Sequence, residues 1–207
     1  MQASALVDAQ DFPTVARFLD RHVEMQFADL RVMLQLPWGE FNAGCNFAAA
    51  TVMLNLLSGF SVCLFEASKE ALEHTARRGP RFKSCLQQYY PWNGEECSSE
   101  QASQWLYQIF RNPLVHSLGV LYPLRTQWSG IKKWPLSLAD ILEMESGPQR
   151  PDWLPLTFEI SRSPSGETHI VLSCPSLYWG TWRVLEKLCK DFTQMSKAEE
   201  LLENLQI

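Results

Sequence analysis

The sequence FAAATVMLNLLSGFSVCLF, residues 47–65, decides the fold class, because this long apolar run contains no charged side chain. Two structures suit such a run: a helix that spans a membrane, which needs about 20 apolar residues, and the buried central helix of a bundle. Asn46 and Asn55 would be costly against lipid, and neither end carries a cluster of lysine or arginine. Small residues such as Ala49 and Gly59 would let neighbouring helices approach closely. The run therefore predicts a central helix over about 43–68.

Upstream of this run, apolar side chains recur at steps of three and four, as one face of an amphipathic helix requires. The pattern predicts a helix over about residues 13–35. Asp11 and Pro13 mark its start, because aspartate caps helices and proline suits their first turn. Pro37 marks its end.

Downstream, a further amphipathic helix is expected over about 100–118, and a short helical piece over about 136–145, capped by Ser137 or Asp140. Residues 147–155, GPQRPDWLP, are rich in turn-forming residues. The segments LTFEIS and THIVLS then alternate in polarity around Ser-Pro-Ser-Gly, which predicts a β-hairpin.

These elements together predict a mainly α protein: a helical bundle with one small C-terminal β-hairpin. We expect a single domain over 1–207, since the length and the 46% hydrophobic content suit one core. Its helical core would cover about 11–145. A C-terminal helix, or pair of helices, at about 178–205 would complete it, with the hairpin at about 154–174.

The net charge of −5 argues against a protein that coats nucleic acid, because such proteins bind by neutralising phosphates. An enzyme that meets RNA through a small local patch remains open. The N-terminal residues lack a basic segment followed by an apolar one, so no secretory signal is expected and the cytoplasm is the expected compartment.

Six cysteines occur without a CxxC pair, and none has a histidine at zinc-ligand spacing. No metal site is therefore expected. Cys45, Cys63 and Cys189 lie among apolar residues, which predicts buried free thiols.

Residues 74–83, HTARRGPRFK, form a basic stretch with two interpretations. Gly79 and Pro80 predict a break in any helix there, so the stretch can be a solvated loop. It can also be a patch that contacts RNA phosphates. The candidate RNA-binding side chains are Arg77, Arg78, Arg81 and Lys83.

The candidate functional centre is FRNPLVHSLG, residues 110–119. Arg111 and His116 are five positions apart, so a regular helix turns them by about 500°, to sides about 140° apart. Pro113 disfavours helical geometry at Asn112 and removes a backbone donor. A kink, or a break with Asn112 as a new N-cap, would bring both side chains to one surface.

Arginine, asparagine and histidine together suit phosphate-ester chemistry. The Arg111 fork can bind phosphate oxygens, His116 can move a proton near neutral pH, and Asn112 can orient either one. Structural roles fit the spacing equally: histidines pack or cap near helix breaks, and arginines contact C-terminal carbonyls. The spacing alone leaves both interpretations open.

The segment RNPLVH, residues 111–116, resembles the Rx4H motif of the HEPN superfamily, in which a polar residue often follows the arginine. That resemblance implies a bundle of four or five helices, similar to those expected at 13–35, 43–68 and 100–118. It covers about half of the chain. Residues from 147 onward lie outside it.

The resemblance also implies a function. Many HEPN proteins are endoribonucleases that need no metal or cofactor, act as toxins or in defence against phage, and dimerise so that two motifs face one cleft. It implies His116 as general acid and base, Arg111 as stabiliser of phosphate charge, Asn112 as a positioning group, and a 2′,3′-cyclic phosphate product. The implied partners are RNA, a second copy of the chain, and an antitoxin or other protein. Some members are only binding or assembly modules.

Overall fold

The computed structural model describes residues 2–37, 45–74, 77–92, 94–116, 127–164 and 166–206, without the side chains of residues 115, 116, 127 and 128. The protein is mainly helical, as predicted, and it has a small three-stranded mixed sheet where the sequence predicted a hairpin alone. The helices are α1 Pro13–Phe18, α2 Glu24–Gln35, α3 Asn46–Cys63, α4 Lys69–Glu73, α5 Arg78–Tyr89, α6 Ser99–Trp105, α7 Asn112–His116, α8 Leu138–Ser146, α9 Cys174–Lys190 and α10 Phe192–Asn204. The strands are β1 Gln127–Lys132, β2 Phe158–Arg162 and β3 Thr168–Ser173.

The N-terminal helix has the predicted extent, because a π-helical turn at Leu19–Val23 joins α1 to α2 without a break. Its N-terminus is capped by a distant residue rather than by Asp11. The Glu199 carboxylate of α10 accepts hydrogen bonds of 2.8 Å from the backbone amides of Thr14 and Val15. This contact fastens the C-terminal helix to the N-terminal one.

Helix α3 lies at the centre of the bundle and packs against α5 and α9. By length and composition it is the one helix among the described residues that would be able to cross a membrane, with a mean hydropathy of 1.4. Only 44% of it is buried, however, and Phe47 on its outer side is 53% exposed. The sequence predicted complete burial, because hydropathy is high on all sides of this helix and does not reveal which side the core covers.

From Arg78 onward the basic stretch is α-helical, where a loop was predicted. Helix α5 begins at Arg78 and carries Gly79 and Pro80 in its first turn. Proline is tolerated there, because the first-turn amides have no partner within a helix and its missing N–H breaks no bond. The expected break is therefore a helix start.

The sheet has the strand order β1-β3-β2. Strands β2 and β3 form the predicted antiparallel hairpin, in which Ile160 pairs with Ile170. Strand β1 was not predicted; it runs parallel to β3, with Ser129 beside Ile170. Phe158 of β2 packs its ring against those of Trp105 and Phe110, and so joins the sheet to the helices.

The C-terminal region forms two helices, one of the two arrangements left open by the sequence. Helix α9 starts at Cys174, earlier than predicted, because the Ser173 side chain caps it and Pro175 fits its first turn. Asp191 ends α9 and caps α10. Helix α8 begins at a capping box between Ser137 and Asp140, as expected.

All six cysteines are free thiols. Cys189 is buried as predicted, whereas Cys63 is half-buried and Cys45 is exposed, so the burial prediction was wrong for Cys45. Cys45 precedes α3 with a left-handed backbone, φ 56°, outside the apolar contacts of the helix.

Candidate active site

The RNPLVH motif lies on one continuous helical segment. The Ser98 side chain caps α6 by accepting a hydrogen bond from the Gln101 amide. Residues Leu106–Arg111 then form a π-helical turn, and α7 follows directly. The inner side of the segment is anchored in the core by Ala102, Leu106, Ile109 and Phe110, all buried.

The helix does not break at Asn112. Its φ of −65° and ψ of −47° are helical, and its amide donates to the Tyr107 carbonyl five residues back. Pro113 has no amide to donate, and in a regular helix its ring would clash with the carbonyl four residues earlier. The wider π turn just before Pro113 is the local departure from α geometry, and such turns are frequent at functional sites.

Arg111 has three described contacts, and all are with neutral groups. Its Nε donates to the Ser58 hydroxyl at 3.4 Å, and its Nη1 donates to the Asn112 side-chain oxygen at 3.1 Å. Its guanidinium carbon lies 5.7 Å from the centre of the Tyr107 ring, a cation–π distance. In the part of the chain that is described, no carboxylate pairs with Arg111. Its positive charge therefore remains available to an anion.

Arg111 lines a cleft of about 230 Å³ between α3, α5 and the π turn. Arg78, at the start of α5, lines the same cleft. Its only described hydrogen bond is a long one, 3.4 Å, to the Leu72 carbonyl. Two arginines that are 33 positions apart in the sequence thus share one small opening.

Gly79 makes this arrangement possible. A Cβ at position 79 would lie 2.6 Å from the Tyr107 hydroxyl oxygen, which is far inside contact distance. Without a side chain there, the Tyr107 ring can lie against the first turn of α5, beside Arg78. The same ring supports Arg111. Ser58 and Gly59 of α3 form part of the cleft wall.

The four basic residues of the predicted RNA-binding stretch have different surroundings. Arg77 is exposed, and Arg78 lines the cleft. Arg81 instead donates to the carbonyls of Ser61, Phe65 and Glu66, where it caps the end of α3. Lys83 donates to the Gln104 side chain at 2.9 Å. Of the four, only Arg78 shares the cleft with Arg111.

His116 is the last residue of α7, and its side chain lies outside the described part of the chain. The following Ser-Leu-Gly of the motif, residues 117–119, also lies outside it. The convergence of Arg111 and His116 therefore stays a prediction.

Sequence reasoning missed Tyr107 and Ser58. A signal existed for Tyr107, because it precedes Arg111 by four positions, the spacing at which helix side chains meet. Ser58 contacts Arg111 only through helix packing, which local spacing does not encode. No group of three or more histidine, cysteine, aspartate or glutamate side chains able to hold a metal occurs within the described ranges.

Comparison with models of known protein families, with curated proteins and with solved structures finds no match for this chain.

Proposed function

We propose that this chain is a metal-independent endoribonuclease of HEPN type. The observation that carries the proposal is the cleft in which Arg111, which has no carboxylate partner among the described residues, lies with a second arginine, Arg78. Two guanidinium forks facing one opening suit a phosphodiester, whose oxygens accept paired hydrogen bonds. The RNPLVH segment supplies the family resemblance.

In the proposed reaction the ribose 2′-oxygen attacks phosphorus, and the bond from phosphorus to the 5′-oxygen breaks. A base removes the 2′-hydroxyl proton, an acid protonates the leaving 5′-oxygen, and a 2′,3′-cyclic phosphate remains. His116 serves as base and acid. Arg111 and Arg78 stabilise the charge that develops on the phosphoryl oxygens. Asn112 and Tyr107 keep the Arg111 guanidinium in position.

The proposed assembly is a homodimer in the cytoplasm, in which each copy supplies one His116, so that one imidazole accepts a proton while the other donates one. Such an enzyme would act as a toxin or a phage-defence effector. It would need an antitoxin or another protein partner to restrain it between challenges.

The test is incubation of purified protein with total RNA in EDTA, followed by end-group analysis. We expect cleavage that leaves 2′,3′-cyclic phosphates. His116→Ala should lower the rate by at least about 100-fold, and Arg111→Ala by about 100- to 1,000-fold. Exposed residues of the same types, His22 and Arg162, provide matched controls, His22→Ala and Arg162→Ala.

Because the RNA target can be narrow, growth after induced expression is measured beside the RNA assay. Growth arrest by the wild type that His116→Ala abolishes supports the enzyme. Intact RNA together with an arrest that His116→Ala and Arg111→Ala both leave unchanged would contradict it.

A second candidate function is a non-catalytic HEPN-like dimerisation or interaction module. The favouring observation is the outer side of α3, where Phe47 is 53% exposed. In this alternative Arg111 only ties the π turn to α3 through Ser58. The module predicts that Phe47→Asp disrupts self-association and abolishes the cellular phenotype, while His116→Ala has no effect.

A further inference from the structure

A second cavity, of about 510 Å³, lies where the end of α5, the segment 148–152 and α9 meet. It shares no lining residue with the cleft of Arg78 and Arg111. Its size is within the range of small-molecule sites. Three prolines and Trp179 supply its apolar surface, and Arg150 and Lys187 supply two positive charges.

Arg150 is exceptional among the arginines of the described chain. Five of these are buried or half-buried, and four of the five make two or more hydrogen bonds: Arg31, Arg81, Arg111 and Arg183. Arg150, also half-buried, has no hydrogen bond or ion pair within the described ranges. A half-buried guanidinium that no described residue pairs with suits an anionic ligand, which forms charge-assisted hydrogen bonds with it.

Packing, rather than pairing, holds Arg150 in position. Gly94 has a positive φ of 85°, and a Cβ there would lie 3.3 Å from Arg150 Nη2. The guanidinium therefore rests against the turn at Gly94. Pro148 and Pro151 flank the arginine in sequence and fix the backbone on both sides. A donor that is already positioned binds a ligand with less loss of conformational entropy.

Trp179 provides an independent sign of a missing partner. It is 6% exposed, and its indole N–H has no acceptor in the described structure. Buried donors are normally paired, so an orphan donor on a residue that lines the cavity calls for an explanation. Pro91 and Pro151 line the cavity with the indole. This surface suits a flat ring.

The charge of the cavity favours an anion. Desolvation of Lys187 lowers its pKa, and a bound anion would reverse that effect. Asp152 is the one acidic side chain among the lining residues, and within the described chain it pairs with neither cation. Its carboxylate can accept hydrogen bonds from donors on a ligand ring.

We propose that this cavity binds a small molecule that carries a flat ring and an anionic group, either phosphate or carboxylate. The anionic group lies between Arg150 and Lys187, and the ring lies against Pro91, Pro151 and Trp179. The site is independent of the proposed ribonuclease activity, since it uses none of the motif residues.

Calorimetry on the full chain tests the proposal with two probes, adenosine 5′-monophosphate and indole-3-acetate. Their comparison decides between phosphate and carboxylate. We expect at least one to bind about tenfold more tightly than adenosine or inorganic phosphate, which each offer half of the recognised chemistry. The Trp179 indole signal in a ¹⁵N–¹H spectrum, assigned with Trp179→Phe, should shift on binding.

Arg150→Ala and Lys187→Ala should each weaken binding about tenfold or more, with thermal unfolding measured to show that both variants remain folded. Lys190→Ala, an exposed lysine on the same helix, should leave binding unchanged. Arg111→Ala separates the two cavities: loss of probe binding in that variant would place the ligand in the other cleft and overturn the proposal. Failure of both probes to bind, or full binding by Arg150→Ala, would also overturn it.

Discussion

Arg183 and Arg111 both project from core helices, yet their surroundings differ in kind. Arg183 is 3% exposed and donates to the carbonyls of Met144 and Glu145 and to the Glu186 carboxylate. Among the described residues, Arg111 contacts a hydroxyl, an amide oxygen and an aromatic ring. Arg183 therefore holds α8 against α9. Arg111 keeps a charge that no described carboxylate neutralises.

The surroundings of the two arginines differ in the same way. Glu145, 2% exposed, accepts hydrogen bonds from Arg31 and from the Tyr178 hydroxyl, and Arg31 also pairs with Glu24. We call this cluster, Glu24, Arg31, Glu145, Tyr178 and Arg183, the closed network. The cleft of Arg78 and Arg111 is its open counterpart. A closed network stabilises the fold, whereas an open one is suited to a ligand.

The largest expected effect comes from removing the charge at the centre of the closed network. Glu145→Gln keeps the side-chain shape but leaves Arg31 without its inner carboxylate. Because Arg31 keeps its pair with Glu24, we expect a loss of about 2–3 kcal/mol of unfolding free energy, the cost of one buried charged hydrogen bond. Urea denaturation measures it. The matched control is Glu159→Gln, whose pair with Lys132 is mostly exposed and should contribute less than about 1 kcal/mol. Equal losses of unfolding free energy in both variants would contradict the distinction between the closed network and an exposed ion pair.

The next largest effect is expected at a glycine in the core, Gly180, and its counterpart is Gly79 beside the cleft of Arg78 and Arg111. A Cβ at Gly180 would lie 2.2 Å from the Tyr90 ring, which is 3% exposed and hydrogen-bonded to Thr157. Gly180→Ala should therefore lower the unfolding free energy by about 1–3 kcal/mol. Gly79→Ala meets the end of the Tyr107 ring beside an open cleft, where the ring can shift.

For Gly79→Ala we expect a loss below about 1 kcal/mol, because the displaced side chain has room and alanine favours the helix. Guanidinium denaturation of both variants measures the difference. A larger loss for Gly79→Ala than for Gly180→Ala would show that the cleft is as rigid as the core.

Much of the packed core was predictable from the sequence, because periodic apolar residues determine which helix sides are buried. The helix over residues 13–35, the hairpin and the Ser137 cap all follow from local patterns. The exposed side of α3 could not be predicted, because a helix that is apolar on every side has no periodic pattern that shows which side faces the core.

The open cleft was only half predictable. The RNPLVH spacing drew attention to Arg111, and charge density drew attention to residues 77–83. No local pattern shows that Arg78 lines the same cleft as Arg111 while Arg81 caps α3, because both placements depend on how α5 packs against distant elements. Gly79 and Pro80 suggested a loop, since a helix start and a helix break use the same residues.

A smaller effect concerns pH. Burial raises the pKa of Cys85, Cys174 and Cys189 to about 12, whereas unfolded thiols ionise near 8.5. The folded protein binds these thiol protons more tightly than the unfolded chain does. The thiols therefore contribute their full share of the unfolding free energy below about pH 8, and that contribution falls as the pH rises towards 12. When the pH rises from 7 to 10, the unfolding free energy of Cys85→Ala should therefore fall by about 1–2 kcal/mol less than that of the wild type.

Denaturation at the two pH values measures this difference. Cys45→Ala is the control, because it removes an exposed thiol instead of a buried one. If Cys85→Ala loses as much stability at pH 10 as the wild type, the Cys85 thiol is not protected by the core.

The smallest expected effect is a gain in unfolding free energy, and it tests the α3 wall of the cleft of Arg78 and Arg111. A Cβ at Gly59 would have no neighbour within 4 Å, and the residue lies inside α3. Gly59→Ala should therefore raise the unfolding free energy by about 0.5–1 kcal/mol, as alanine does in an exposed helix interior. Measuring stability and self-association over a range of protein concentrations makes the result decisive. Stabilisation at every concentration means that this side of α3 stays open, whereas weaker self-association means that a second copy of the chain covers it.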